Sequence, residues 1–161
     1  MASVFAEITK NIKSTLHGAS ITYGGLVRTI TCERERFMNV INDRFPFILL
    51  SGPIIEPLSR AHLVVHNTLH YLITFTDNTI SDEYNPDSTV TPITETMQDV
   101  IADIVKLLMV DRRRGGYANN TEYGTTGYYF DDDGDTPLFN IFLQLEIKAF
   151  VRDADPYYTG G

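Results

Sequence analysis

Three histidines, His62, His66 and His70, recur every four residues, a spacing that would place them along one stripe of a helix. Imidazoles on one stripe could bind a metal ion. The surrounding residues, however, alternate between apolar and polar, which predicts a strand. Four residues along a strand span about 13 Å, whereas metal–nitrogen bonds are about 2.1 Å long. We therefore expect these histidines on the polar face of a sheet, and we predict no metal site there.

A run of carboxylates, Asp131-Asp132-Asp133-Gly134-Asp135, is the second feature that could do chemistry. A calcium loop of the EF-hand type needs an acidic ligand at position 1, glycine at position 6 and glutamate at position 12. Placing Gly134 at position 6 puts Tyr129 at position 1 and Asn140 at position 12, so the pattern fails. Binding of a divalent cation by the crowded carboxylates stays open, as does a small metal-dependent hydrolase that uses this acidic loop with a histidine.

Other catalytic signatures are missing from the sequence. It contains no phosphate-binding glycine loop, no nucleophile elbow and no His-Glu-x-x-His pattern. The single cysteine, Cys32, excludes an internal disulfide framework and a cysteine-rich zinc site. We predict that the chain is not an enzyme, with no catalytic residues, no cofactor and no resident metal.

The elements that would position these residues fit one domain over residues 1–161. Helical periodicity covers residues 3–17, with Ser3 as a possible cap, and residues 91–114, with Thr91 as the cap and Pro92 at the first helical position. Strand patterns cover residues 20–32, 45–50, 62–76 and 139–151. Long loops are predicted at about 77–90 and 117–136, and a C-terminal tail at 153–161. The prediction is an α+β fold in which a mainly antiparallel sheet packs against the N-terminal helix and the central helix.

Charge is concentrated in one internal segment. Residues 77–135 contain thirteen acids and four bases, a net charge of −9, whereas the rest of the chain has eight acids and nine bases, a net charge of +1. This acidity argues against sequence-neutral binding of nucleic acid, which requires a basic face. No stretch approaches the roughly 20 apolar residues of a membrane helix. We expect an intracellular protein without a membrane partner.

Aromatic and basic residues in the predicted loops indicate protein–protein contact. Tyrosine at such positions is not needed for a core, and a rigid amphipathic ring adds contact area at low entropic cost. We expect the loop 117–135 to become ordered only on assembly. The basic triplet at the end of the central helix has two interpretations. It is a solvated helix end, or it contacts an acidic surface on a neighbouring copy or on nucleic acid. The candidate interface residues from these segments are Arg112, Arg113, Arg114, Tyr117, Tyr123, Tyr128, Tyr129 and Tyr157.

The final predicted strand, residues 139–151, is longer than the typical five or six residues. Its odd positions are uniformly apolar, and its even face carries Phe142 and Phe150 among polar residues. Burying each phenylalanine is worth about 1.5–3 kcal/mol. Coverage by a loop of the same subunit is one explanation. We favour contact with an adjacent subunit, through strand pairing at an exposed sheet edge.

This layout resembles the tail terminator proteins of long-tailed bacteriophages. The likeness rests on the order of elements, on the helix that ends in Asp111-Arg112-Arg113-Arg114-Gly115-Gly116, and on the ending Val151-Arg152-Asp153-Ala154-Asp155-Pro156-Tyr157. The resemblance implies a structural virion protein that forms a ring, commonly a hexamer, at the head-proximal end of the tail tube.

The implied partners are further copies of the chain, the tail tube protein, and the head connector or neck proteins. The ring would end tube polymerisation near the head–tail junction, after assembly in the host cytoplasm. No sequence-specific nucleic acid is implied, although genomic DNA would pass through the ring. A head-completion or neck protein is the related alternative.

Overall fold

A computed structural model describes residues 2–34, 45–78, 93–131, 138–152 and 155–159 of the chain. Over these residues it contains two helices and eight strands, and the main sheet is mostly antiparallel. The predicted α+β class is therefore confirmed. The caps Thr91 and Pro92, most of the predicted loop 77–90, and Asp132 to Asp135 lie outside the described residues.

The first helix, α1, spans Val4–Leu16, as the sequence predicts. Its N-terminus is capped by Ser3, whose side-chain oxygen accepts a hydrogen bond from the backbone N–H of Ala6 at 3.2 Å. One stripe of the helix is buried, and the stripe consists of Val4, Ile8, Thr9, Ile12 and Leu16. Apolar residues at this spacing fix which face of α1 meets the sheet.

A small hairpin and a short strand follow α1. β1 (Ser20–Tyr23) pairs antiparallel with β2 (Leu26–Thr29), and β3 (Thr31–Arg34) joins the main sheet. Gly24 and Gly25 form the turn with φ of 58° and 73°, a left-handed conformation that favours glycine. The glycine pair thus makes a hairpin turn within the segment 20–32.

The next two strands form a long hairpin. β4 spans Phe47–Ala61 and pairs antiparallel with β5, which spans Val64–Asp77. The turn between them consists of His62 and Leu63, with φ of 51° and 66°, the positive values that two-residue hairpin turns require. At its N-terminal end β4 pairs in parallel with β3, but only over Phe47 to Leu50.

The prediction that the strand from residue 45 ends at Leu50 is wrong. β4 continues for eleven further residues, through Gly52, Pro53 and Pro57. Proline lacks a backbone N–H and is tolerated on an edge strand, where one side of the ladder is unpaired. Gly52 has a φ of 108°, and a Cβ at this position would lie 2.7 Å from the carbonyl oxygen of His70. Because glycine and proline are uncommon inside strands, the sequence does not indicate a strand here. The pairing with β5 continues past these residues through two register shifts.

The second helix, α2, spans Ile93–Met109. Its buried positions Met97, Val100, Ile104 and Leu108 recur every three or four residues and face the core. The sequence predicts this stripe. The basic triplet at 112–114 lies in the turn after the helix rather than in its last helical turn.

Three strands complete the main sheet. β6 spans Asn120–Asp131, β7 spans Leu138–Arg152 and β8 spans Asp155–Thr159. The sheet order is β3-β4-β5-β7-β6, and β8 pairs with the end of β7 beyond the start of β6. β7 pairs with β5 over its length and with β6 on its other side, so it is a central strand.

The long final strand predicted from the sequence is confirmed, but two associated predictions are wrong. β7 has neighbours on both sides and so offers no exposed edge for pairing with another subunit. The segment 117–136 is not a loop over its whole length, because residues 120–131 form β6 and pair with β7 within the same chain. The expectation that the segment becomes ordered only on assembly stays a prediction. Part of the predicted tail also forms a strand, β8.

The core lies between the two helices, the β1–β2 hairpin and one face of the main sheet. That face carries Tyr71, Ile73 and Phe75 on β5 and Leu143 and Leu145 on β7, all of which are buried. The opposite face, which we call the outer face, carries the even-numbered residues of both strands. The core thus covers one face of the main sheet. The outer face and the edges of the sheet are left for contacts with other molecules.

Candidate functional site

Three tyrosines lie along β6, the strand at one end of the sheet order. Tyr123, Tyr128 and Tyr129 are 54%, 40% and 50% exposed. One side of β6 pairs with β7, and no strand of the described residues pairs with its other side. An edge strand with free backbone groups and exposed aromatic rings is a template for contact with another chain. We call this surface the tyrosine edge.

The tyrosine edge presents rings on both faces of the sheet. Tyr123 and Tyr128 lie opposite Leu145 and Ile141, which belong to the core face, and Tyr129 lies opposite Asn140 of the outer face. Because directly opposed residues share a face, the edge carries aromatic area above and below the sheet plane. The exposure of these tyrosines, which the sequence predicts, is confirmed, but the sequence misses the strand that positions them.

The outer face beside the tyrosine edge contains Phe142, which is half-buried. Its ring lies over Gly127 of β6: a Cβ built on this glycine would be 2.8 Å from Cε1 of the ring and closer still to Cζ. Glycine is therefore required at 127 for the ring to lie flat on the sheet. A contact within the same chain covers part of this candidate interface residue.

Phe150 is the second candidate on the outer face, and it is also half-buried. Its ring stacks on His66 of β5, with ring centroids 4.0 Å apart and planes inclined by 13°. The backbone N–H of Phe150 donates a hydrogen bond to the side-chain oxygen of Asn119 at 3.0 Å. The stacked pair accounts for one histidine of the 62/66/70 series as a packing residue on a sheet face.

His70 of the same series bridges two carboxylates. Its Nε2 lies 2.9 Å from Oε2 of Glu56 on β4, and its Nδ1 lies 3.6 Å from Oε1 of Glu146 on β7. The three side chains tie three neighbouring strands together at the solvent-exposed outer face. His66 and His70 lie on β5 and His62 in the hairpin turn, which confirms that the series follows a strand rather than a helix.

The basic triplet divides into two kinds of residue. Arg112 and Arg113 are exposed, but Arg114 is completely buried. Its guanidinium donates hydrogen bonds to Oγ1 of Thr121 at 3.1 Å, to Oδ1 of Asn11 at 3.4 Å and to the carbonyl of Leu108. The prediction that Arg114 contacts another subunit is therefore wrong.

Burial lowers the pKa of the Arg114 guanidinium, and the nearby Asp111 carboxylate partly opposes this shift. The Asp111 carboxylate accepts hydrogen bonds from the backbone N–H groups of Gly115 at 2.7 Å and Arg113 at 3.0 Å, which lower its own pKa. The turn after α2 thus connects α1, α2 and β6 through the hydrogen bonds of one buried arginine.

The two other tyrosine candidates lie away from β6. Tyr117 is in the turn before β6 and is 38% exposed, and Tyr157 is on β8 and is 47% exposed. Both side chains are available for contact. The described part of the chain therefore brings Tyr123, Tyr128 and Tyr129 together on one edge, while Tyr117 and Tyr157 occupy separate positions.

Sequence reasoning missed a buried polar cluster at the β1–β2 hairpin. The hydroxyl of Tyr23 donates a hydrogen bond to the fully buried carboxylate of Asp77, and a guanidinium nitrogen of Arg28 lies 3.5 Å from the same carboxylate. The Arg28 guanidinium also lies 4.3 Å from the centre of the Tyr23 ring. These contacts anchor the hairpin to the end of β5.

Within the described residues, no three histidine, cysteine or acidic side chains are grouped so that they could hold a metal ion. The helices of the same residues include none of the length and apolarity needed to cross a membrane. Burial raises the pKa of the Cys32 thiol to about 12, so this cysteine is not an activated nucleophile. No protein family and no curated protein sequence matches the chain.

Proposed function

We propose that this chain is a structural virion subunit that forms a ring at the head-proximal end of a phage tail tube. The ring ends tube polymerisation and provides the surface on which the head connector docks. The observation that carries the proposal is the tyrosine edge: a strand of twelve residues that pairs on one side only among the described residues, with Tyr123, Tyr128 and Tyr129 exposed.

A ring requires a contact between two different surfaces of neighbouring copies, because a self-complementary contact ends at a dimer. A strand edge at one end of an open sheet supplies one such surface. Exposed tyrosine supports this role, since it combines large contact area with a hydrogen-bonding tip.

The acidity of the chain also supports passage of DNA through such a ring. Its net charge of −8 repels phosphates, so the double helix would not be held by the protein as it moves. The partners in this proposal are further copies of the chain, the tail tube protein and the connector or neck proteins.

The first test is the mass of the purified chain by size-exclusion chromatography with light scattering. Six copies of 18.2 kDa give about 109 kDa. Replacing Tyr123, Tyr128 and Tyr129 together with Ser should shift the mass toward that of the monomer without changing the circular dichroism spectrum.

A matched control variant replaces Leu26 and Val27 with Ser. These two residues are 61% and 72% exposed on the β1–β2 hairpin, which is a separate sheet from the one that contains β6, so the control should keep the assembled mass. Electron microscopy of the chain mixed with purified tail tubes should show it at one tube end only. A monomer mass under all conditions, with no binding to tubes, contradicts the proposal, and binding to the portal alone favours a neck protein.

A further inference from the structure

The side of α2 that faces solvent is polarised by charge. Positions opposite the buried stripe of the helix are acidic over its first three turns and basic at its end and in the turn that follows. The acidic positions, which we call the acidic half of α2, are Glu95, Asp99 and Asp103. The basic positions, which we call the basic end, are Lys106, Arg112 and Arg113. All six side chains are exposed except that of Asp103, which is half-buried.

The basic end differs in charge from the rest of the chain. Residues 106–116 contain four bases and one acid, a net charge of +3, whereas the other residues contain nine bases and twenty acids, a net charge of −11. Arg114, buried under this turn, adds a charge whose hydrogen-bond acceptors are all neutral: Thr121, Asn11 and the Leu108 carbonyl. The basic end therefore favours an acidic partner, and every copy of the chain presents one in the acidic half of α2.

The helix itself does not account for this distribution of charge. The helix dipole favours acids in the first turn and bases in the last turn, which explains Glu95 and Lys106. Its effect falls off within those turns, so it does not explain Asp99, Arg112 or Arg113. Like charges four residues apart on a helix destabilise it, as Glu95 and Asp99 do here. Among the described residues, no ion pair of the chain involves these side chains, so a partner of opposite charge would relieve the repulsion.

We infer that α2 pairs antiparallel with α2 of a second copy of this chain, about a two-fold axis near Ala102. Along the helix, Asp99 and Lys106 lie about 4.5 and 6 Å from Ala102 on opposite sides, at a rise of about 1.5 Å per residue. Glu95 and the last helical residue, Met109, each lie about 10 Å from it. An antiparallel pair therefore places the acidic half of each copy beside the basic end of the other copy.

The centre of this surface allows the two helices to approach closely. Ala102 is exposed and small, and the distance between packed helices depends on the side chains at the contact. Val110, which is 83% exposed just beyond the helix, would be covered by the partner. The contact is held mainly by charges at an exposed surface, so we expect it to be weak and sensitive to salt.

This inference goes beyond the proposed function and does not rest on it. The ring contact joins two different surfaces of neighbouring copies, whereas the α2 contact joins one surface to itself and ends at a dimer. Replacing the three tyrosines of the tyrosine edge with Ser removes the ring contact and leaves α2 unchanged. In that background two copies of 18.2 kDa should give about 36 kDa at low salt.

Cross-linking through one introduced cysteine tests the two-fold geometry. Ala102→Cys places an accessible thiol near the axis, and the native Cys32 is buried. With a short bis-maleimide, this variant should give about tenfold more covalent dimer at about 0.01 M salt than at about 1 M, because charges act over roughly 30 Å in the first and roughly 3 Å in the second. The control is Ser14→Cys, on the exposed side of α1, which should give little dimer at either concentration.

Paired charge reversals provide an independent measurement by light scattering. Arg112→Glu with Arg113→Glu gives an acidic variant, and Glu95→Lys with Asp99→Lys gives a basic variant. Each variant alone sets like charges against each other, so its dimer should dissociate about tenfold more readily or worse. An equal mixture of the two variants restores opposite charges and should restore the dimer. All four positions are exposed, so the melting temperatures should change little.

A charge-matched control replaces Arg60 and Arg152 with Glu. These residues are exposed on β4 and β7, outside α2, so the control should dimerise like the parent chain. If the 102–102 cross-link is absent at both salt concentrations, or if the acidic and basic variants dimerise alone as well as the parent does, the inference is wrong and the proposed function still stands. Rescue by mixing without the 102–102 cross-link also overturns the inference, in favour of a head-to-tail contact. The proposed function fails separately, if the chain forms no ring and does not bind tail tubes.

Discussion

Replacement of Arg114 by Ala should destabilise the fold and should not act as an interface mutation. The substitution removes the donors to the Leu108 carbonyl, to Asn11 and to Thr121. A buried polar group that loses its partner costs about 1–3 kcal/mol. Thr121 keeps a hydrogen bond to the Arg112 carbonyl at 2.8 Å, so the largest penalty falls on the Leu108 carbonyl and on the space left by the side chain.

The expected loss is about 3 kcal/mol in the free energy of unfolding, reduced from a larger sum because the guanidinium no longer has to be desolvated. For a chain of this size each kcal/mol lowers the melting temperature by about 2–4 °C, so the variant should melt about 6–12 °C below the parent chain. Thermal and urea unfolding followed by circular dichroism measure both quantities.

Arg113→Ala is the matched control, since its side chain is exposed in the same turn. It should change the free energy of unfolding by less than about 0.5 kcal/mol. If Arg114→Ala also stays within that range, the hydrogen bonds of the buried Arg114 do not stabilise the fold as described. The three arginines would then have to be treated again as one surface cluster.

Two further predictions follow from the packing of the sheet and its core. Gly127→Ala should lower the free energy of unfolding by about 1–3 kcal/mol, because its Cβ would collide with the Phe142 ring. In a Phe142→Ala background the same substitution should cost less. If urea unfolding gives an equal loss in both backgrounds, the ring does not lie over residue 127. Burial raises the pKa values of the Cys32 thiol and the Tyr71 hydroxyl to about 12 from ordinary values of 9.0 and 10.0, so the folded state favours both neutral forms. The contribution of these two groups to stability is complete below pH 9 and is lost as pH rises toward 12, so the urea midpoint should fall over that window. Cys32 should also resist thiol reagents at pH 8 until the chain unfolds. Rapid labelling of Cys32 in the folded chain would refute its burial.

The parts of the fold that the sequence predicts are those with a strong apolar period. α1, α2, β5 and β7 bury a regular stripe or an alternating face, so the pattern identifies their type and nearly their ends, except that α2 ends at Met109 and not at residue 114. β6 lacks that pattern because an edge strand packs less of its side-chain area against the core. Its threonines, tyrosines and glycines indicate a loop when the pairing partner on β7, which lies 7 residues later for Asp131 and 28 residues later for Asn120, is unknown.

The residue types in the sequence indicate which side chains are candidates for the site, but they do not indicate where the fold places each one. Tyrosine at sites where no core requires it correctly singles out Tyr123, Tyr128 and Tyr129 as exposed. The same logic fails for Arg114, since three consecutive arginines give no sign that one of them turns inward. Only the tertiary structure, which brings Asn11 of α1 and Thr121 of β6 to the same turn, determines that burial.

Among the described residues, β6 and the second half of β4 each pair with a strand on one side only, and both also have weak sequence patterns. One cause explains both facts. A central strand such as β7 is specified by burial on one face and by partners on both sides, and this leaves a clear alternation. An edge strand is released from part of that requirement, so prolines can enter β4 and tyrosines can occupy β6 without loss of the core. Residues on these edges can therefore change to suit a partner while α1, α2 and β7 hold the fold. This separation is what a subunit needs if its assembly contacts are to be tuned independently of its stability.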